Sequence, residues 1–233
     1  MSGVKKEQVS HILRIPCGGA VIEGDLEIPE ASAGVVIFAH GSGSSRYSPR
    51  NQYVAGIIRE SGVATLLMDL LTRDEERIDD VTRRLRFDIG LLASRLVDAA
   101  RWISNLDATR GMRTGFFGAS TGGGAALVAA AELGGKIGAV VSRGGRPDLA
   151  GESLPLVTSP TLLIVGGRDE QVIELNRQAY ARLGCKKELK IVPGATHLFE
   201  EPGALEEVAR LAAAWFKQHL QAERDITAAG GGQ

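Results

Sequence analysis

The stretch "TGFFGASTGGGAALVAAAEL", residues 114–133, sets a serine between glycines where an apolar run meets an alanine-rich one. "TGFFGA" reads as a short strand covered on both faces, as in a parallel sheet. "TGGGAALVAAAEL" reads as the helix after it. Gly118-Ala119-Ser120-Thr121-Gly122 fits G-x-S-x-G. The pentapeptide alone leaves two readings level, because serine is also a common helix N-cap. The strand–turn–helix setting favours a nucleophile elbow. So tight a turn needs small residues two places either side of the serine, and glycine stands at both. The turn lifts the serine to the carboxyl edge of the sheet, where open α/β folds bind ligands.

Outward from the elbow, the pattern repeats. "VVIFA" (35–39), "VATLLM" (63–68), "IGAVV" (137–141), "TLLIV" (161–165) and "LKIV" (189–192) are further strand candidates. Between them lie helical patterns. Ile89, Leu92, Leu96, Ala99, Ala100 and Ile103 form one apolar stripe, and Leu205, Val208, Leu211, Ala212 and Trp215 another. Alternating βα units imply an α/β doubly wound sheet with helices on both faces. Before them, "SHILRIP" and "AVIEGDLEIP" flank Gly18-Gly19 and read as an antiparallel hairpin. No linker and no repeat interrupts the chain. The expectation is one domain over residues 1–224 and a disordered tail over 225–233, "DITAAGGGQ", which has little to bury.

Bulk composition narrows the function. The 233 residues are 44% hydrophobic and 24% charged, with a net charge of −1. That balance is ordinary for a globular protein and gives no field toward nucleic acid or an anionic membrane. Cys17 and Cys185 form neither a metal cluster nor a redox motif, and two free thiols are expected. The N-terminal stretch has no apolar signal-peptide core, and no apolar run approaches ~18 residues. A cytoplasmic location is expected, with no cofactor, no metal, no nucleic-acid partner and no membrane partner.

A serine nucleophile needs a base and an orienting acid. Of four histidines, His11 lies in the first strand candidate and His219 on the C-terminal helix, where it reads as a surface residue. His40 and His197 stand at the right sheet edge. His197, in "PGATHLFEEPG" after the last strand candidate, is the candidate base. His40 ends "VVIFAH" and reads as a brace for the next loop. The acid should fall between serine and histidine. Asp169, in "TLLIVGGRDEQV", follows its strand directly and is preferred to Asp148 in "RGGRPDLAG"; it could alternatively cap the helix beginning near Glu170. An oxyanion hole needs two donors. The backbone N–H of Thr121 is one candidate. The other comes from the loop "HGSGSSRYSPRN", with Ser42 preferred to Gly43. That loop lacks the lysine of a phosphate-binding P-loop.

With "FAHGSGSS", "GFFGASTGGG", "LLIVGGRDEQV" and "PGATHLF" in place, the chain resembles the α/β-hydrolase superfamily, and within it the dienelactone-hydrolase-like esterases. The resemblance implies an eight-stranded, mostly parallel sheet whose second strand runs antiparallel. It also implies a nucleophile at the elbow, an acid after the seventh strand and a histidine after the eighth, which carry over to Ser120, Asp169 and His197. True dienelactone hydrolases use cysteine where this chain has serine, which shifts the expected substrate toward simple carboxylic esters.

After the fourth strand candidate, most residues from Thr72 to Arg86 are charged, which is no lipid-facing lid. It reads as a solvated loop or a short helix laced with salt bridges. Its arginines, with Arg46 and Arg50, could alternatively steer an acidic substrate. No large cap domain is expected, so the pocket should be open. The expected function is a serine hydrolase acting on small-molecule esters through an acyl-enzyme. A dienelactone-type lactonase and a non-catalytic binding protein are the alternatives. An intact Ser, His and Asp set argues against the last.

Overall fold

The computed structural model describes residues 11–32 and 34–221. The expected tail, 225–233, and the boundary at 224 lie outside the described residues. Eight strands form one sheet: β1 (His11–Cys17), β2 (Ala20–Glu27), β3 (Gly34–Ala39), β4 (Ala64–Met68), β5 (Arg113–Ala119), β6 (Ile137–Arg143), β7 (Thr161–Gly166) and β8 (Lys187–Val192). Their spatial order is β1-β2-β4-β3-β5-β6-β7-β8. β2 runs antiparallel to both β1 and β4, and the other pairs are parallel. This is the eight-stranded, mostly parallel sheet of the α/β-hydrolase fold. The β1–β2 hairpin turns on Gly18 and Gly19, with φ of 54° and 84°. A two-residue hairpin loop with both φ values positive suits glycine best.

Every residue of β3, β4, β6 and β7 is buried, because helices cover both faces. Alternation along each strand then sorts the side chains. Val35 and Ile37 of β3 face the core shared with α3 (Ile89–Asn105) and α4 (Thr121–Leu133). Val36 and Phe38 face the core shared with α1 (Pro49–Glu60) and α6 (Ala204–Leu220). There Phe38 meets its register partner Phe117, ring centroids 4.7 Å apart. Each such fully buried side chain contributes ~1.5–3 kcal/mol. β8 departs from the expected continuous apolar run. It is the sheet edge, carries Lys187, Glu188 and Lys190, and leaves Ile191 exposed, which discourages pairing with another chain.

The charged stretch after β4 is a helix, α2 (Arg73–Thr82). A reciprocal capping box starts it: Glu75 N–H donates to Thr72 Oγ1 (3.2 Å), and Thr72 N–H donates to the Glu75 carboxylate (2.7 Å). Its charges pair locally, Arg77 with Asp74 and Arg86 with Asp79, while Glu75 meets Arg95 of α3 at 2.8 Å. Among the described residues, α2 and one 3₁₀ turn, Leu85–Phe87, are all the helix between β4 and α3. Cys17, in β1, and Cys185, just before β8, sit at opposite sheet edges and are unpaired. Burial pushes the Cys17 thiol up to about 11. No described helix is long and apolar enough to cross a membrane.

Candidate active site

Ser120 sits between β5 and α4 with φ 51° and ψ −120°, a conformation that a residue with a Cβ rarely adopts. The flanking glycines make it possible. A Cβ on Gly118 would meet Gly122 O at 2.5 Å, and one on Gly122 would meet Ala39 O at 2.2 Å and His40 O at 2.6 Å. The start of α4 therefore lies directly on the end of β3. Backbone bonds hold the elbow: Ser120 N–H donates to Arg143 O (3.2 Å), and Ser120 O accepts from Gly123 and Arg146 (both 3.0 Å). Ser120 occupies the helix cap position, yet its side chain makes no capping bond.

Asp169 shows the same contrast. It precedes α5 (Glu170–Arg182) at the cap position without capping it. Its carboxylate instead accepts from His197 Nδ1 at 2.6 Å, which leaves Nε2 as the basic nitrogen. The two loops are stitched together behind that bond. Gly167 N–H donates to Val192 O (2.8 Å) and Arg168 N–H to Ala195 O (2.9 Å). A Cβ on Gly166 would strike Ala195 O and Thr196 O, both at 2.5 Å, so glycine lets the His197 loop rest on the end of β7. Phe199, two residues on and 1% exposed, anchors that loop in the core. The rival acid is engaged elsewhere: both Asp148 oxygens accept from Arg146, at 2.9 and 2.7 Å.

Ser120 and His197 line one cavity of about 260 Å³ with Ser42, Ser44, Ser48, Arg50, Asn51, Arg143 and Leu198. A larger recess of about 430 Å³ adjoins it across the shared wall Gly41, Ser42, Ser44 and Ser48, and Thr121 and Gly43 line that side. The first N–H groups of a helix lack intrahelical acceptors, and Thr121 is the first residue of α4. Ser42 thus lines both recesses, the smaller with Ser120 and the larger with Thr121. His40 holds this loop. Its Nδ1–H donates to Gly41 O (2.9 Å), while Nε2 accepts from Leu70 N–H (3.1 Å). Burial pulls its imidazole below the usual histidine range. His219 is not simply a surface residue. It is half-buried, with its ring 4.5 Å from that of Trp215.

The two recesses differ electrically. Glu76, Asp79 and Asp80 line the larger one, where burial, then Asp69 and Asp80, raise the Glu76 carboxyl above its usual range. Arg50 and Arg143 line the smaller. Arg46 is not available to a substrate: it is 4% exposed and held by Glu23 (2.7 Å), Asp25 (3.3 Å) and Asp69. Sequence reasoning missed Arg143, although a cation closing the apolar strand "IGAVVSR" at the ligand-binding edge was a usable signal. Among the described residues no group of three or more His, Cys, Asp or Glu side chains is arranged to hold a metal ion.

Comparison with known proteins agrees with this architecture. Residues 22–222 match the model of the dienelactone hydrolase family. A solved dienelactone hydrolase from Anabaena variabilis is 56% identical, with a TM-score of 0.91 over 93% of this chain and 100% of that one. Est1E from Butyrivibrio proteoclasticus shares the fold at 18% identity, TM-score 0.75, over 90% of this chain and 99% of its own. Two Mycobacterium tuberculosis proteins that carry the provisional name phosphoribosyl transferase are 57% identical over 208 residues, 89% of this chain but 46% of theirs. The chain therefore spans about half the length of these curated relatives. Sheet order, elbow geometry and these likenesses lead to one conclusion: the chain belongs to the dienelactone hydrolase family and has the α/β-hydrolase fold.

Proposed function

We propose that this protein is a hydrolase that cleaves small carboxylic esters through an acyl-enzyme. Ser120 attacks the ester carbonyl as His197 takes its proton. The same histidine returns the proton to the departing alcohol, and water then repeats the sequence on the acyl-enzyme. Asp169 holds His197 in the Nδ1–H tautomer and stabilises the imidazolium. The backbone N–H groups of Thr121 and Ser42 stabilise the oxyanion, a contribution of a few kcal/mol. The observation that carries this reading is the 2.6 Å bond from His197 to Asp169, beside a cavity that His197 lines together with Ser120.

A lactone substrate is the second reading, favoured by the name of the Anabaena variabilis neighbour. Serine rather than cysteine at 120 weighs toward simple esters, which are less activated than a dienelactone. The transferase name describes relatives more than twice as long as the matched region. The test is a panel of p-nitrophenyl esters and lactones with wild type and Ser120→Ala, beside labelling with a fluorophosphonate. Hydrolysis and labelling should both vanish in the variant. Retained turnover in Ser120→Ala removes the nucleophile assignment.

A further inference from the structure

We propose that Arg143, with Arg50 beside it, is a phosphate-recognition pair that selects esters whose alcohol part carries a phosphate monoester. This rests on the esterase reading of the same cavity. Arg143 is 8% exposed and lines the cavity with Ser120 and His197. Its Nε and Nη1 find no hydrogen-bond acceptor, and no carboxylate pairs with it among the described residues. The nearby aromatic face is that of Phe199, 6.0 Å away. Burying a guanidinium without a counter-charge is expensive. Burial, then the Arg50 charge, pulls Arg143 down to about 10, so it remains charged at neutral pH and its charge is unanswered.

The arginines that line the two recesses or lie beside them differ from Arg143 in their partners. Arg46 has three carboxylates, and Arg86 has Asp79. Arg50 touches Glu200 at 3.2 Å, but that pair is open to solvent and therefore weak. Two guanidiniums that repel each other across a cavity are best answered by a dianion. A phosphate monoester brings up to two charges and three free oxygens, and the hydroxyl-bearing residues Ser42, Ser44 and Ser48 share the lining. A single carboxylate answers only half of that charge. The location selects the alcohol part. Gly144, next to Arg143, packs against His197, where a Cβ would lie 3.5 Å from ring carbon Cε1. His197 is where the leaving alcohol receives its proton. The acyl–oxygen bond breaks, water supplies the hydroxyl of the acid, and the phosphate leaves intact on the alcohol.

The experiment compares kcat/KM for three acetate esters: phenyl acetate, 4-acetoxybenzoate and 4-acetoxyphenyl phosphate. Alongside, titration calorimetry measures inorganic phosphate binding to Ser120→Ala. Wild type should prefer the phosphate ester by at least roughly tenfold over both others, and phosphate should bind the inactive variant. In Arg143→Met the ratio of phosphate ester to phenyl acetate should collapse by about tenfold or more, with partial return in Arg143→Lys. Arg50→Gln, at a half-exposed position that tolerates change, should lower the ratio several-fold. If Arg143→Met fails to fold, the Lys and Arg50 variants still decide. Equal rates on the three esters, equal preference for the carboxylate, or phosphate binding unchanged by Arg143→Met on the Ser120→Ala background would overturn the pair. No hydrolysis of phenyl acetate, with phosphate still bound through Arg143, would instead remove the esterase reading and leave the anion site standing.

Discussion

The backbone at Ser120 predicts that the proposed nucleophile position works against stability. Its φ of 51° with ψ −120° is a region open to glycine and strained for a residue with a Cβ, at a cost of ~1–3 kcal/mol. Ser120→Ala keeps the Cβ and hence the strain. Ser120→Gly removes it, while the freer unfolded chain of glycine gives back ~0.4–1 kcal/mol. The net gain of the Gly over the Ala variant is then about 1 kcal/mol. For a chain of this size that corresponds to a Tm higher by roughly 2–4 °C. Both variants lack the hydroxyl, so both should lose at least ~10³-fold in ester turnover. Calorimetric melting of the two variants at one pH, with p-nitrophenyl acetate turnover alongside, measures both halves. A Gly variant that melts at or below the Ala variant refutes the strain argument, and near-wild-type turnover in either refutes the nucleophile.

Asp169→Asn should lower kcat by ~10²-fold or more, because the orienting acceptor for His197 is replaced, whereas Asp148→Asn, which only loosens the Arg146 pair, should stay within a few-fold; a kcat comparison of the two decides between them. Gly122→Ala should destabilise by about 1–3 kcal/mol or more, since the new Cβ lands 2.2 Å from Ala39 O, and a denaturant midpoint measures it. Acyl chains of roughly two to six carbons should be preferred: longer chains find no apolar groove in a serine- and arginine-lined cavity and lose the ~0.8 kcal/mol per buried methylene. A kcat/KM that climbs steadily to long chains across a p-nitrophenyl series would contradict this. The folded-state pKa of His40 is depressed by burial, so the unfolded chain binds the extra proton first. Its contribution is therefore complete above the unfolded value of ~6.5 and declines as pH falls from there toward the folded value. Tm should drop below pH 6.5 with a smaller slope in His40→Gln, and an unchanged slope would point to His219, which burial also depresses.

Much of the molecule was legible in the chain. The strand runs, the two apolar helix stripes and the Gly18-Gly19 hairpin are local patterns, and backbone geometry with burial turns such patterns into elements directly. The elbow was legible for the same reason, because only glycine at 118 and 122 permits that turn. Ser120, Asp169 and His197 were candidates in the chain because each lies in the loop after a strand, and a parallel sheet gathers such loops at one edge.

Other features depend on which strands become neighbours and where the sheet ends. "LKIV" looks like "TLLIV", yet β8 is an edge and leaves Ile191 exposed. Asp169 and Ser120 are both plausible helix caps by sequence, and in the fold neither side chain caps. Arg46, Arg50 and Arg143 are equivalent as letters. Tertiary structure surrounds the first with three carboxylates, leaves the second half in solvent, and buries the third unpaired at the cavity. The physical reason is that the state of a charge is set by the dielectric and the partners around it, and those arrive from distant parts of the chain. The sequence alone therefore determined the fold and the candidate chemistry at Ser120, and the packing of the folded chain decided which cations face the cavity.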